Sequence, residues 1–259
     1  MYNANNIDEY KKYGVIFTMS SAEKIQIKNK KRPKMMFSTV LLGLTAAILT
    51  VTSVLYRQTP FMMLPLFVSL VVGILQAEAN RYACLIGGIN SLIYTAVYLT
   101  LGIYGSAAQA LLVSCPFQLA TFARWSKHAY KNSTEFKRMN KKARIILLAV
   151  LSVCYMAALM ILNAAGSGYR QLDGATSLLG AATSVLTLLS YIEYTWLMLV
   201  SGLLGIALNV AVSLDRPEMI TYTVFSIYSF ICVVRQFFSV RRIYAEQEKE
   251  RIDKYEKQF

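Results

Sequence analysis

The stretch from Tyr82 to Ala123 contains no Asp, Glu, Lys or Arg, and this run is the feature that most constrains the fold. A transmembrane α-helix needs about 20 mostly apolar residues, because each residue advances the helix by about 1.5 Å and the hydrocarbon layer is about 30 Å thick. The run is long enough for two passes with a turn between them. The sequence therefore predicts a membrane protein.

Six further stretches lack charged residues and approach or exceed the length of one membrane pass. Together with the first run they predict eight helices. The composition agrees, since 56% of the residues are hydrophobic and the mean hydropathy is +0.43, whereas soluble domains contain about 45–50% apolar residues. We therefore expect an all-α polytopic protein, whose other charge-free stretches are Met35–Tyr56, Gln58–Ala77, Ile145–Tyr169, Gly174–Ile192, Tyr194–Leu214 and Met219–Val234.

The net charge of +13 arises mainly from three basic clusters, Lys11–Lys34, Arg124–Arg144 and Arg235–Lys257. Four predicted helices separate each cluster from the next, so all three lie on one side, which the positive-inside rule makes the cytoplasm. Residues 1–34 are polar and basic, and no cleavable signal peptide is expected. We therefore expect a multi-pass protein of the cell membrane with cytoplasmic termini, whose positive charge meets anionic lipids and not nucleic acid.

The chain carries a weak internal repeat, because aligning residues 75–89 with residues 190–204 places Glu78 on Glu193. Each half has an apolar helix, an acidic turn, a Gly/Ser-rich helix, a short outer turn and a final helix. We expect two parallel three-helix repeats with substrate between them, as in some transporters. The expected segments are a basic N-terminal segment (1–34), an extra helix (35–57), the first repeat (60–125), a basic loop (126–144), a linker helix (145–165), the second repeat (172–240) and a charged tail (241–259).

The sixth predicted helix carries its polar and small residues in one stripe when successive residues are placed about 100° apart. Such a stripe either packs closely on a neighbouring helix or faces a wet cavity. Asp173 favours the cavity, since a carboxylate needs water or a partner, although it could also cap the helix. The stripe consists of Asp173, Ser177, Gly180, Ser184, Thr187 and Tyr191.

Asn90 lies near the middle of the third predicted helix, where an amide without partners costs roughly 2–7 kcal/mol to desolvate. Tyr94 follows one turn later on the same face. Gln118 lies in the fourth helix beside Pro116, which is expected to kink that helix, and Asn209 lies in the seventh. Each residue could simply form an interhelical hydrogen bond. Together they predict a polar, aromatic lining for a compound that joins a ring to a ribose.

The sequence offers few residues for catalysis or metal binding. All four cysteines (Cys84, Cys115, Cys154 and Cys232) fall within predicted helices, and the single histidine, His128, lies in the basic loop. No enzyme activity, cofactor or metal is therefore expected. A non-transporting scaffold or sensor is the alternative from another class, because the charged tail could bind a partner. The sequence is also compatible with a homo-oligomer.

The motifs resemble those of the PnuC family of nicotinamide riboside transporters over residues 62–240. The first repeat is similar to the family pattern of Gly, Asn, a Tyr four residues later, Gly-x-Tyr-Gly at the outer turn, Pro-x-Gln and a closing Trp. The second repeat is similar to its Leu-Asp start followed by Ile-Glu and Trp. The matching residues are Gly87, Asn90, Tyr94, Gly102, Tyr104, Gly105, Pro116, Gln118, Trp125, Leu172, Asp173, Thr176, Ser177, Ile192, Glu193 and Trp196.

The resemblance implies a SWEET-like arrangement of three, one and three helices, here with the extra N-terminal helix. It also implies import of nicotinamide riboside, an NAD precursor, by facilitated diffusion, with trapping by cytoplasmic phosphorylation. Tyr82, Cys84 and Leu199 stand where the family has tryptophans, so thiamine and riboflavin, carried by relatives, are alternative substrates. From the residues and the resemblance together, we expect substrate contacts from Asn90, Tyr94, Gln118, Asp173, Ser177, Ser184, Trp196 and Asn209.

Overall fold

The structure is a computed structural model that describes residues 31–57, 59–100, 110–164, 170–215, 217 and 220–256. The basic segment up to residue 30 and the outer-turn motif at residues 102–105 lie outside the described residues. Residues Met1–Val40 and Leu41–Phe259 are two compact units, and the candidate site lies within the second. The described residues form eight α-helices: α1 (Lys31–Leu55), α2 (Pro60–Ala77), α3 (Tyr82–Thr100), α4 (Cys115–Lys127), α5 (Lys141–Ala164), α6 (Arg170–Leu188), α7 (Tyr194–Asp215) and α8 (Ile220–Glu256).

Seven of these helices contain long apolar stretches. In the described part of the chain, three stretches are long and apolar enough to cross a membrane, namely Lys141–Met160, Tyr194–Asp215 and Ile220–Glu256. Shorter apolar stretches occur at Thr39–Leu55, Met63–Ala77, Tyr82–Val97 and Gly174–Leu188. Many large apolar side chains, such as Val54, Leu112 and Val153, are exposed on the outside of the molecule. This surface is what a lipid-facing helix requires, and the prediction of a helical membrane fold is confirmed.

Six helices close into a ring. Going around it, α2 packs on α3, α3 on α4, α4 on α6, α6 on α7, α7 on α8, and α8 returns to α2. The linker α5 packs against α6. From Leu41 onward, α1 packs against α2 and α8, because its buried Leu49 joins a cluster with Leu66 and Tyr228. The ring leaves an interior between its helices, and this interior contains the candidate site.

Two prolines shape the helices that border the interior. Pro65 lies inside α2, where it cannot donate a backbone hydrogen bond. Pro116 is the second residue of α4, and α4 directly follows a π-helical segment, Ala110–Ser114. A π-turn widens the helix locally and is common where the regular hydrogen-bond ladder is interrupted. The kink expected at Pro116 stays a prediction, and the structure shows a π-helical turn shortly before the proline.

The turns after α2 and α6 share one hydrogen-bonding pattern. In each turn, one residue has the left-handed conformation. The N–H groups of this residue and of the next one donate to backbone carbonyls in the last turn of the helix, and this arrangement is a Schellman motif. The left-handed residues are Ala79 (φ 51°) and Ser190 (φ 62°). Matching these two turns would pair Ala79 with Ser190, whereas the sequence alignment pairs Glu78 with Glu193. The bonds are Ala79 N to Gln76 O, Asn80 N to Leu75 O, Ser190 N to Thr187 O, and Tyr191 N to Leu186 O.

The loop between α4 and α5 binds to both of these turns. It contains a hairpin of β1 (Ala129–Tyr130) and β2 (Ser133–Thr134), with Ala129 opposite Thr134. The N–H of Arg81 donates to Asn132 O at 2.9 Å, and the N–H of Ile192 donates to Lys137 O at 2.9 Å. The loop therefore joins the ends of the two halves of the ring on one side, which we call the basic side because it carries residues 124–144.

The predicted charged tail is a continuation of α8, which runs without a break to Glu256. Its Gln247 is buried against the loop, where Oε1 accepts the N–H of Phe136 at 3.0 Å and Nε2 donates to Thr134 O at 2.8 Å. Lys131 and Glu246 add an exposed ion pair at 2.7 Å. The proximal part of the tail therefore belongs to the folded structure of the basic side.

Candidate functional site

The ring encloses a cavity of about 190 Å³, which we call the central cavity. It lies between α2, α3, α4 and α8, at the depth of the middle of α3. Its walls combine amide, hydroxyl and aromatic side chains, as expected of a site for a small polar molecule with a ring. The lining residues are Ser69, Val72, Gly73, Gln76, Gly87, Asn90, Ser91, Tyr94, Gln118, Phe225, Tyr228 and Ser229.

Asn90 is the most informative residue of this cavity. Its side chain is 3% exposed, and its Nδ2 donates to Pro65 O at 3.0 Å and to Ser69 Oγ at 2.9 Å. Ser69 Oγ also lies 3.3 Å from the hydroxyl of Tyr94. Both amide donors of Asn90 are therefore used, which fixes the amide, while its Oδ1 is buried without a partner. An acceptor oxygen held in this way is suited to receive a hydrogen bond from a ligand.

Gln118 reaches across the interior from α4 towards α3. Its Nε2 donates to Ser91 Oγ at 3.3 Å, and its side chain passes so close to Gly87 that a Cβ there would lie 2.0 Å from Oε1. Ser91 in turn donates to Gly87 O at 3.0 Å. The absence of a side chain at residue 87 is therefore what admits the Gln118 amide to this position.

A second cavity, of about 160 Å³, lies closer to the basic side, and we call it the basic-side cavity. Gln76 and Gln118 line both cavities, so these two glutamines mark the boundary between them. The second cavity is bordered by α2, α3, α4, α6, α7 and α8. Its lining residues are Gln76, Ala79, Asn80, Ala83, Cys84, Phe117, Gln118, Thr121, Trp125, Thr183, Ser184, Thr187, Tyr194, Met198 and Gln236.

The structure brings together half of the residues expected to contact substrate. Asn90, Tyr94 and Gln118 line the central cavity, and Gln118 and Ser184 line the basic-side cavity. The polar stripe of α6 divides accordingly, since Ser184 and Thr187 face the second cavity and the exposed Ser177 does not.

The other expected residues lie elsewhere or cannot be placed. Trp196 is 53% exposed on α7, where its ring meets Phe237 edge-to-face and the guanidinium of Arg241 lies 5.3 Å from its centroid. Asn209 is partly buried in α7, and its backbone carbonyl accepts the hydroxyl of Ser213. Neither lines either cavity. The side chain of Asp173 is outside the described residues. A substrate role for these three residues stays a prediction.

Sequence reasoning missed three polar side chains of the interior. Gln76 lies in the last turn of α2, Gln236 lies in α8, and Tyr228 of α8 donates its hydroxyl to the backbone carbonyl of Leu70. The signal that identified Asn90, an amide within an apolar helix, also applied to both glutamines. It was overlooked because Gln236 adjoins the basic tail and Gln76 adjoins an acidic turn, where polar residues are expected.

The side chains that line the two cavities can bind a ligand through hydrogen bonds and aromatic contacts. None of the residues that line the two cavities is Lys, Arg, His, Asp or Glu, and no cluster of metal-ligating side chains occurs among the described residues. Amide and hydroxyl oxygens without partners face neutral surroundings. The cavities therefore suit a ligand that donates hydrogen bonds and stacks on aromatic rings.

Comparisons with known proteins agree with this description. The family model described as "Nicotinamide mononucleotide transporter" matches residues 59–238. The solved crystal structure of the vitamin B3 transporter PnuC is similar in fold, with a TM-score of 0.67 at 21% identity over 81% of this chain and 92% of that one. No curated protein matches the chain. Since the match includes five helices of the ring and the first half of α8, which is well over half of the sequence, the chain belongs to the nicotinamide mononucleotide transporter family.

Proposed function

We propose that this multi-pass membrane protein imports nicotinamide riboside across the cell membrane by facilitated diffusion. The observation that carries the proposal is the buried, unpartnered Oδ1 of Asn90 on a ring-enclosed cavity, in a chain of this family. Nicotinamide riboside has a carboxamide that can donate to this oxygen. Its ring is positively charged, and the aromatic rings of Tyr94, Phe225 and Tyr228 around the cavity favour such a cation.

The cavity linings favour the riboside over the mononucleotide. A phosphate would bring a charge of about −1.5 to −2 and oxygens that only accept hydrogen bonds. The lining residues include no Lys, Arg or His to balance that charge, and the buried acceptor oxygens of Asn90 and Gln236 would face the phosphate. Burying an unpaired charge is far more costly than burying a hydrogen-bonded ribose. Phosphorylation of the riboside in the cytoplasm would then prevent its return.

The helix ring supports a parallel arrangement of two three-helix repeats. The helices α2, α3 and α4 would form one unit and α6, α7 and α8 the other, with α5 as linker and α1 as an addition. The contact of α4 with α6 has its counterpart in the contact of α8 with α2, and the matching turns at Ala79 and Ser190 add a shared register. Rocking of one unit against the other would open the interior alternately to each side.

The charge distribution supports a cytoplasmic basic side. The loop between α4 and α5 and the end of α8 carry Lys and Arg in quantity, whereas the opposite turn after α1 carries Arg57. By the positive-inside rule, the basic side and both termini would face the cytoplasm and its anionic lipids. The apolar outer face of α5 would contact lipid or a second copy of the chain.

Uptake into proteoliposomes tests the proposed function. Purified protein should equilibrate labelled nicotinamide riboside without an ion gradient or ATP, and nicotinamide mononucleotide should not compete. Faster equilibration of thiamine or riboflavin would assign one of these vitamins instead. Absence of uptake of all three, together with a thermal shift by none, would favour a scaffold or sensor.

A further inference from the structure

We propose that the basic-side cavity is the second half of the substrate site, and that Thr183 and Gln236 bind the hydroxyl-bearing end of the ligand there. This inference rests on the proposed function, since it concerns how one riboside molecule occupies the interior. The polar network of the central cavity comes from the first three-helix unit. The proposal adds two binding residues from the second three-helix unit.

The sizes of the cavities support a single site in two parts. Small-molecule sites usually measure about 300–1,000 Å³. The central cavity measures about 190 Å³ and the basic-side cavity about 160 Å³, so each alone falls below that range and the two together reach its lower end. Gln76 and Gln118 line both cavities, so the two cavities are neighbours.

The second cavity also contains buried polar atoms without partners. Gln236 is 4% exposed, and its Nε2 donates to the hydroxyl of Tyr194 at 2.9 Å, which fixes the amide and leaves Oε1 unpartnered. Thr183 Oγ1 is likewise buried without a partner. Buried polar groups are nearly always hydrogen-bonded, because leaving one unsatisfied costs about 1–3 kcal/mol. Two such atoms on one cavity indicate a ligand that supplies the missing bonds.

The remaining hydroxyls define the chemistry of that ligand. Thr121, Ser184 and Thr187 donate to carbonyl groups of their own helices at 2.7, 3.0 and 2.7 Å. Their oxygen lone pairs therefore remain as acceptors, beside the acceptor Oε1 of Gln236. A ribose presents several hydroxyl donors and matches this lining, whereas a carboxamide presents one NH₂ group and matches the single free oxygen of Asn90. The ring would therefore lie in the central cavity and the ribose in the basic-side cavity.

Gln118 would have to turn aside for this ligand. Its hydrogen bond to Ser91 is long, at 3.3 Å, and the atom that lies over Gly87 is the end of a flexible side chain. Rotation of this side chain would remove one of the two residues that the cavities share at their boundary. Gln118 would then be available to bond with the ligand between its ring and its ribose.

Thr183→Val is the decisive variant, because it removes only a hydroxyl that has no partner in the protein. The matched control is Thr221→Val, since Thr221 Oγ1 is also buried and unpartnered but lines neither cavity. Equilibrium binding of nicotinamide riboside to detergent-purified protein should show a Kd about 3- to 10-fold higher for Thr183→Val, and an unchanged Kd for Thr221→Val. Neither variant should melt below the wild type, because each replaces an unsatisfied buried hydroxyl by a methyl group of similar size.

A fragment ligand identifies which end of the substrate is affected. Nicotinamide lacks the ribose, so its Kd should be the same for the wild type and for Thr183→Val. Gln236→Met should weaken riboside binding in the same way. Equal riboside affinity of wild type, Thr183→Val and Gln236→Met would overturn this inference and leave the proposed function intact. Absence of riboside binding by the wild type would overturn the proposed function, and this inference with it.

Discussion

The side chain of Gln118 on α4 lies directly over Gly87 on α3 and fills the space that a side chain at residue 87 would need. The glycine therefore determines where an amide of the neighbouring helix lies. This relationship places Gln118 at the boundary of the two cavities, and it can be tested by adding a single methyl group.

Gly87→Ala should lower nicotinamide riboside uptake to about a tenth or less, because the new Cβ takes up space at the boundary of the two cavities, where the Gln118 side chain has to move. Initial uptake rates in proteoliposomes measure this effect. Gly180→Ala is the matched control, since a Cβ at Gly180 meets nothing within 4 Å. Full activity of Gly87→Ala would show that the position of Gln118 does not matter for transport.

Asn90→Leu should raise the Kd for nicotinamide riboside about tenfold or more, because it removes the free acceptor Oδ1 and both bonds that organise Ser69 and Pro65 O. Isothermal titration of purified protein gives the change. Asn209→Leu makes the same substitution outside both cavities and should have a smaller effect. Equal losses in the two variants would indicate a general defect and would remove Asn90 from the site.

Gln247→Ala should destabilise the basic side, because Thr134 O and Phe136 N–H lose their buried partner. Each unsatisfied backbone group costs about 1–3 kcal/mol, which corresponds to a decrease in melting temperature of about 5 °C or more. Differential scanning fluorimetry in detergent provides the measurement. Lys249→Ala on the exposed face of the same helix should melt like the wild type. An unchanged melting temperature for Gln247→Ala would mean that the helix end is not packed on the loop.

Arg144→Leu should lower the stability by about 1–2 kcal/mol, because it leaves Glu193, whose side chain is 13% exposed, with the backbone N–H of Met139 as its remaining donor. A double-mutant cycle with Glu193→Gln isolates the interaction and should give a coupling energy clearly above zero. The exposed pair of Lys131 and Glu246 should give a coupling near zero in the same assay. Equal coupling in both pairs would contradict a special role for Glu193.

Trp196→Leu should leave the Kd for nicotinamide riboside within about twofold of the wild type. The sequence and the family resemblance predict a substrate contact from Trp196, but this residue is 53% exposed and its ring packs on Phe237, with the guanidinium of Arg241 5.3 Å from its centroid. A loss of more than tenfold in binding, with an unchanged melting temperature, would place Trp196 in the site after all. The same titration as for Asn90→Leu provides the comparison.

The helical architecture could be predicted from the sequence because its determinants are local. Charge-free stretches long enough to cross a membrane locate the helices, and the starts of α2 at Pro60 and of α3 at Tyr82 lie within two residues of the predicted boundaries. The amide of Asn90 could be identified in the same way, since a polar residue in such a stretch must have a partner. The hydrogen-bonding pattern shared by the turns at Ala79 and Ser190 could not be predicted, because it depends on backbone conformation and not on residue identity.

The sequence by itself determined that this chain is a helical membrane protein, which amides lie in its apolar segments, and which family it resembles. The tertiary structure decided which of these amides share a cavity. It brought Asn90 and Gln118 to one interior, together with Gln236 from beyond the charge-free stretches, and left Trp196 and Asn209 outside both cavities. The physical reason is that the face of a helix that turns inward depends on how six helices pack together, and this packing depends on residues far apart in the chain.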